Sequence, residues 1–337
     1  MKLVSLIVCF ILSQSIKSQD SVSSANKRRI QFTPTSFSNK FSLNVAPVLT
    51  IRSGDTVSTE TIDAGGFDKN SVKRQRGGNP LTGPFYIENS VAGDVLAITL
   101  TKVSLNRSYA FTTEYFVSRS LPKTVTKQLK KPKKIIWKLD KETGLASLDT
   151  AYEHLANYKV PLTPFVGCIG VAPSSKKNEI LSFFSGTFGG NLDFIKVAQS
   201  ATIYLPVLHD GAFFYIGDGH AVQGDGELAG NALETSLDVD FTVKLIKNNP
   251  LNLTYPRVED SVYIMAVGLG KSLDDALKIA TSGLLGWLQV DYHLSIEEAT
   301  QVMSTSVEYT IAEIADPEVE IVAKIKKAML KGLKKYN

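Results

Sequence analysis

The sequence predicts an α+β protein, with a mostly β body of sandwich-like sheets and helices clustered toward the C-terminus. Short apolar runs, several with period-two alternation, recur between residues 41 and 269 and are punctuated by Gly, Pro, Asn and Asp. Two serine-led starts, at Ser272 and Ser295, each open a stretch with helical spacing. Strands therefore fill the first three quarters of the chain and helices the end, the order expected of an α+β unit.

Taken in order, Lys2 and the apolar run 3–12, followed by small polar residues to Ser18, have the layout of a secretory signal over residues 1–18. The run is too short to span a bilayer, and no later segment is apolar for long enough. The expectation is an exported chain, secreted or periplasmic, with residues 19–337 as one catalytic unit. That unit is β-rich over 30–270 and helical over 271–335. Residues 41–51, 57–62, 84–87 and 94–103 read as strands, and Gly77, Gly78 and Gly83 mark a loop. The lysine-rich stretch 121–134 reads as an exposed insertion or hairpin arm, with short strands at 135–139 and 146–148 beyond it. Prolines 161, 164 and 173 bracket a buried strand at 165–171. Further strands follow at 201–208, 212–216, 237–246 and 261–269. Helices are expected at 273–288, 299–307 and 318–333.

Composition bounds the function. Hydrophobic residues at 43% and charged residues at 21% are ordinary globular values, so disorder is excluded. The net charge of +4 arises largely from lysine runs near 123–134 and 324–335, with no recognition motif beside them. They read as solvated faces, and no nucleic-acid partner is expected. Removing the leader leaves Cys168 as the one cysteine, so burial rather than a disulfide stabilises the fold. Cys168 lies in an apolar run and reads as a small core side chain.

The densest polar segment runs from Gly217 to Glu227. It sets Asp218, His220, Gln223, Asp225 and Glu227 among four glycines, directly after an apolar strand. A rigid strand feeding a glycine-rich polar turn is a common way to present active-site groups. Asp, His and Glu are also ligand types for a divalent cation. Two weaker clusters lie upstream, Gly189-Gly190-Asn191-Leu192-Asp193 and the segment from Glu60 through Asp63 to Gly66.

Several blocks together resemble the acetamidase/formamidase family. They are Gly78-Asn79-Pro80-Leu81-Thr82-Gly83-Pro84, Gly93-Asp94-Val95-Leu96, the stretch from Pro164 to Pro173, Gly189 to Asp193, Tyr204-Leu205-Pro206-Val207, and Asp218 to Glu227 with Ala232-Leu233-Glu234. The resemblance implies hydrolysis of the C–N bond of short-chain linear amides, such as formamide or acetamide, to a carboxylate and ammonia. Carried over by position, it implies Glu227, Asp225 and His220 as catalytic groups. Asn191, Asp193, Gln223, Gly190 and Glu234 become substrate-binding groups, and Asp63, Asp218 and His220 become ligands of a divalent metal, zinc or calcium. It implies no organic cofactor, a small amide as partner, and is compatible with a homo-oligomer. The competing readings are an exported small-ligand-binding protein that keeps the scaffold but not catalysis, and a lactam-opening hydrolase.

Overall fold

The computed structural model describes residues 27–149 and 152–335, so the expected leader at 1–18 lies outside the described residues. Among them the strands form a nine-stranded sheet, an eleven-stranded sheet and a two-stranded pair, and neither large sheet closes on itself. Strand content is 39% and helix content 15%, a mostly β protein with its long helices near the C-terminus, as the sequence predicts.

The nine-stranded sheet is organised around Leu237–Ile246. This strand pairs antiparallel with Thr56–Glu60 on one side and Val95–Leu105 on the other. Its alternation sends Val239, Phe241 and Val243 inward, all fully buried. They meet Phe85, Phe214 and Ile216 from the eleven-stranded sheet in one continuous core. Phe241 packs edge-on against Phe85 and Phe214 with ring centroids 5.3 and 5.2 Å away. Truncating such a ring to alanine costs about 3–5 kcal/mol. The two sheets thus face each other as a sandwich.

The far half of the nine-stranded sheet carries the helices. The 20-residue helix Leu273–Tyr292 begins where the Ser272 side chain accepts from the Asp275 amide, and it ends at His293 with φ +52°. Ala276, Ala280, Leu284 and Leu288 recur every fourth residue and lie against Ile264, Ala266 and Ile321. Gly268 makes this approach feasible, since a Cβ there would stand 2.0 Å from the Ala276 carbonyl oxygen. The helix Ile296–Ser306 opens with a complete capping box between Ser295 and Glu298.

Two expectations need correction. Residues 318–333 are not a helix: Val319–Lys326 is a strand antiparallel to Tyr263–Gly270, followed by the short 3-10 turn Lys327–Leu330. The Glu and Lys residues there favour helix locally, but Val319, Ile321, Ala323 and Ile325 alternate and fill the face under the long helix. Glu308–Glu313 pairs with it as the sheet edge, so the C-terminal part is helical only to Ser306. The expected strand at 41–51 is two pieces, Lys40–Ser42 and Leu49–Ile51, with Pro47 between them. The lysine-rich stretch does form an exposed arm between the paired strands Tyr109–Thr113 and Lys134–Asp140.

Candidate active site

The strand Phe214–His220 supplies the centre of the site. It lies between Phe165–Gly170 and, at its C-terminal end, Glu234–Thr235, with His220 in register with both Phe165 and Glu234. Period two puts Asp218 and His220 on the same side of the strand. The turn beyond returns through Glu227, and the strand Gly189–Asn191 leads into Asp193. These segments bring Asp193, Asp218, His220, Glu227 and Glu234 together in the interior, each at most 7% exposed. Three of the acids hold left-handed backbone: Asp193 at φ +43°, Asp218 at +57° and Glu227 at +47°. Such conformations cost about 1–3 kcal/mol each for side chains other than glycine, and they gather where function requires them. Gly167 leaves the room, since a Cβ there would sit 2.5 Å from Asp193 Oδ1 and 2.9 Å from Asp218 Oδ2.

The imidazole is the hub. His220 Nε2 lies 3.4 Å from Glu234 Oε2, 3.5 Å from Asp218 Oδ1 and 3.7 Å from Asp193 Oδ1. Asp193, His220 and Glu227 form one group of mutually close ligand atoms, and Asp218, His220 and Glu234 form a second, each spanning no more than 4.8 Å. Asp193 Oδ1, Asp218 Oδ1, Glu234 Oε2 and His220 Nε2 are buried with no hydrogen-bond partner, although unsatisfied buried polar atoms are costly. Three of these atoms surround His220 Nε2 at 3.4–3.7 Å, and either three-residue group around it is an arrangement a cation would complete. A set of oxygens with one imidazole nitrogen suits zinc or a similar transition ion better than calcium, which takes oxygen ligands.

Electrostatics agree. Burial raises the Asp193 carboxyl well above its ordinary range, and the Glu227 carboxylate raises it further. Glu227 is raised by burial, opposed by His220 and reinforced by Glu234 and Asp218. Burial, opposed by His220, also raises Glu234. Burial alone would lower His220, but Glu234 and Asp218 outweigh it and hold the imidazole well above its usual value. Gln223 fixes the ring. Its Nε2 donates to the backbone carbonyls of Asp193 (2.5 Å) and Ala312 (3.4 Å), so its Oε1 accepts from His220 Nδ1 at 3.0 Å. With the Nδ1 proton committed, Nε2 is the atom left to face the carboxylates.

Several residues expected in direct roles are placed differently. Asp63 does not join the cluster: it pairs with Arg107 Nη1 at 2.7 Å and accepts from the Phe67 amide at 2.8 Å. Arg107 also donates to the Glu234 carbonyl at 3.1 Å, so Asp63 anchors the strand that carries Glu234. Asp225 is exposed, on the rim of a cavity, because the turn directs it outward while Glu227 turns in. Asn191 has both amide protons committed, to Asp193 Oδ2 and to Asp316 Oδ2 at 2.9 Å, so it braces acids and does not present its amide to a substrate. Gly190 serves by geometry, with φ +115° and no room for a Cβ beside the Phe184 carbonyl oxygen at 2.3 Å. Asp193 and Glu234 belong to the buried group around His220 Nε2, and Gln223 to the support of His220.

The sequence reading missed a supporting layer. Asn79 donates to Asp218 Oδ2 at 2.9 Å and to Asn191 Oδ1 at 3.2 Å. The Cys168 thiol donates to Asn191 Oδ1 at 2.6 Å. Burial, with Asp218 and Asp193 nearby, pushes that thiol well up, so it stays protonated and is not a nucleophile. Asp316 comes from the loop after Glu308–Glu313, and its carboxyl is pushed up to about 7 by burial. That loop closes on the glycine-rich turn through hydrogen bonds between Gly226 and Ala312 and between Ile314 and Gly226. Asn79 lies in the Gly78 to Pro84 block, but nothing local marks Asp316.

Glu227 also borders a cavity of about 300 Å³, lined with it by Gln223, Trp137, Tyr158, Val222 and Leu228 among others. It has the dimensions and apolar walls for a small organic molecule.

The profile of the Acetamidase/Formamidase family matches residues 24–182 and 185–272. No curated protein matches significantly. Among solved structures, an acetamidase from Bacillus halodurans is 25% identical, with a TM-score of 0.76 over 90% of this chain and 99% of its own. An acetamidase from Yersinia enterocolitica is 27% identical, with a TM-score of 0.78 over 91% of this chain and 94% of its own. A gamma lactamase from Delftia acidovorans, 16% identical with a TM-score of 0.55 over 86% of this chain and 88% of its own, shares the fold. The match over most of the chain settles the assignment: this protein belongs to the acetamidase/formamidase family of amide hydrolases.

Proposed function

We propose that the chain hydrolyses short-chain linear amides to carboxylate and ammonia, with the buried acid and imidazole groups holding a divalent ion, zinc or a similar metal. The observation that carries this is the set of unpartnered carboxylate oxygens of Asp193, Asp218 and Glu234 around His220 Nε2, next to Glu227, which borders a small cavity. The names of the Bacillus and Yersinia relatives, both acetamidases, support the substrate class. A bound ion supplies charge that polarises the amide carbonyl and acidifies water.

The chain's own residues do the rest. Glu227 borders the cavity and carries a carboxyl raised by burial, so it can take a proton from water and return it to the leaving nitrogen. His220 is held in one tautomer by Gln223. Asn191 and Asn79 fix the carboxylates of Asp193 and Asp218. The walls formed by Trp137, Tyr158 and Val222 limit the size of the acyl group. The N-terminal leader pattern supports action outside the cytoplasm.

Ammonia release over formamide, acetamide, propionamide and small lactams tests the reading. Turnover should be greatest for the short linear amides. Saturable binding of these amides with no ammonia released would leave a binding protein instead.

A further inference from the structure

Arg257 opens the short strand Arg257–Glu259 beneath the long helix and is 4% exposed. Its guanidinium lies 5.1 Å from the Trp287 ring centroid, yet Nε and Nη1 have no hydrogen-bond acceptor. The nearby acids are engaged elsewhere. Asp291 accepts from Trp287 Nε1 at 3.0 Å and pairs with Lys335 at 3.1 Å. Glu259 pairs with Lys327 at 2.6 Å and accepts from the Tyr204 hydroxyl at 3.0 Å. Burial pulls the guanidinium down to about 10, against an opposing pull from Asp291 and Tyr204.

A cavity of about 280 Å³ opens over this group. Its lining includes Lys278, Ser282 and Thr254, all exposed to solvent, and apolar surface from Tyr255, Ile279 and Val267, with no acidic side chain. The helix leaves room because Gly286 faces the site, where a Cβ would meet only Arg257 Nη2 at 3.8 Å. A buried guanidinium whose Nη2 lies beside the cavity-lining Gly286, a second cation near the mouth and apolar walls together describe a receptor for an anion with an apolar part.

We propose that this cavity is a second binding site, separate from the acid and imidazole cluster, for a small organic carboxylate. The carboxylate lies on Arg257, and its apolar part rests against Tyr255 and Ile279. A strongly hydrated oxyanion has no use for those walls, whereas a short fatty or aromatic acid does. The site shares no residue with the catalytic cluster and does not depend on the substrate proposed above.

Isothermal titration and melting curves with sodium butyrate, against sodium chloride and inorganic phosphate at matched ionic strength, test it. Butyrate is expected to bind saturably and raise the melting temperature. Arg257→Met should weaken binding by roughly tenfold or more, as loss of a charged hydrogen-bonding partner does. Gly286→Leu, which keeps Arg257 and fills the cavity, should abolish binding, so the idea stays testable even if Arg257→Met misfolds. Glu227→Gln should bind butyrate as the wild type does. Unchanged binding in Arg257→Met or Gly286→Leu, an equal response to phosphate, or loss of binding in Glu227→Gln would overturn the proposal.

Discussion

Among the described residues, two of the places that bury polar groups without a partner are built in opposite ways. At the acid and imidazole centre, acids from several separate segments converge, three on left-handed backbone, and Asn79, Asn191 and Gln223 hold them in place. At the other, a single guanidinium lies under a helix with a ring for company and no acceptor for two of its donors. Convergence with braced side chains marks a centre built around something bound at a point. A lone cation beside an open cavity marks a site completed by a ligand from solution. On the readings proposed above, the sign of the buried charge points to a metal ion at the first and an anion at the second.

Removing one group from each centre should give opposite results. Glu227→Gln should cut amide turnover by about 10²- to 10⁴-fold, the usual range for a general acid-base group, while circular dichroism stays unchanged. A rate near that of the wild type would remove Glu227 from the mechanism. Arg257→Met should stabilise the ligand-free protein by about 1–3 kcal/mol in urea unfolding, since an unpaired buried cation gives way to an apolar chain of similar length. A loss of stability there would mean that the Trp287 contact outweighs the burial cost and that Arg257 is structural.

A pH experiment sharpens the acidic half. Glu313 and Glu320 face each other across paired strands, both buried. Burial, with Asp316 beside it, pushes Glu313 up to about 8, and burial raises Glu320 well above its usual value. A carboxyl with a raised folded value stabilises the fold fully below its ordinary range. That contribution is lost as pH rises through the folded value. The metal-free protein should therefore lose stability between about pH 4.5 and pH 8, and Glu313→Gln should flatten that slope in chemical denaturation. An unchanged slope would mean that other groups carry it. The smallest effect belongs to the capping box outside both centres: Ser295→Ala should cost about 1 kcal/mol with turnover untouched.

Much of the site was legible in the sequence because its chemistry is dense over 218–234, where strand, turn and strand stay close in space. Asp218, His220 and Glu227 could be named from the segment 217–227 itself, and Glu234 from the family resemblance. Asp225 has the same residue type and a central place in the motif, but only the backbone at Gly224 and Gly226 decides that it faces solvent. Asp63 reads as a ligand until Arg107, 44 positions on, is seen to claim it at 2.7 Å. Asp316 and the strand that follows it depend on long-range pairing that local propensity opposes. Arg257 carries no motif, and its meaning arises from what lies around it.

The central claim is that the atoms around His220 hold a cation that amide cleavage requires. The most direct test measures divalent metal content and ammonia release from acetamide on the same preparation, for the wild type and for His220→Gln. The account predicts about one ion per chain and turnover in the wild type, with both lost in a folded His220→Gln protein. Full acetamide turnover by metal-free wild type, or by folded His220→Gln, would contradict it.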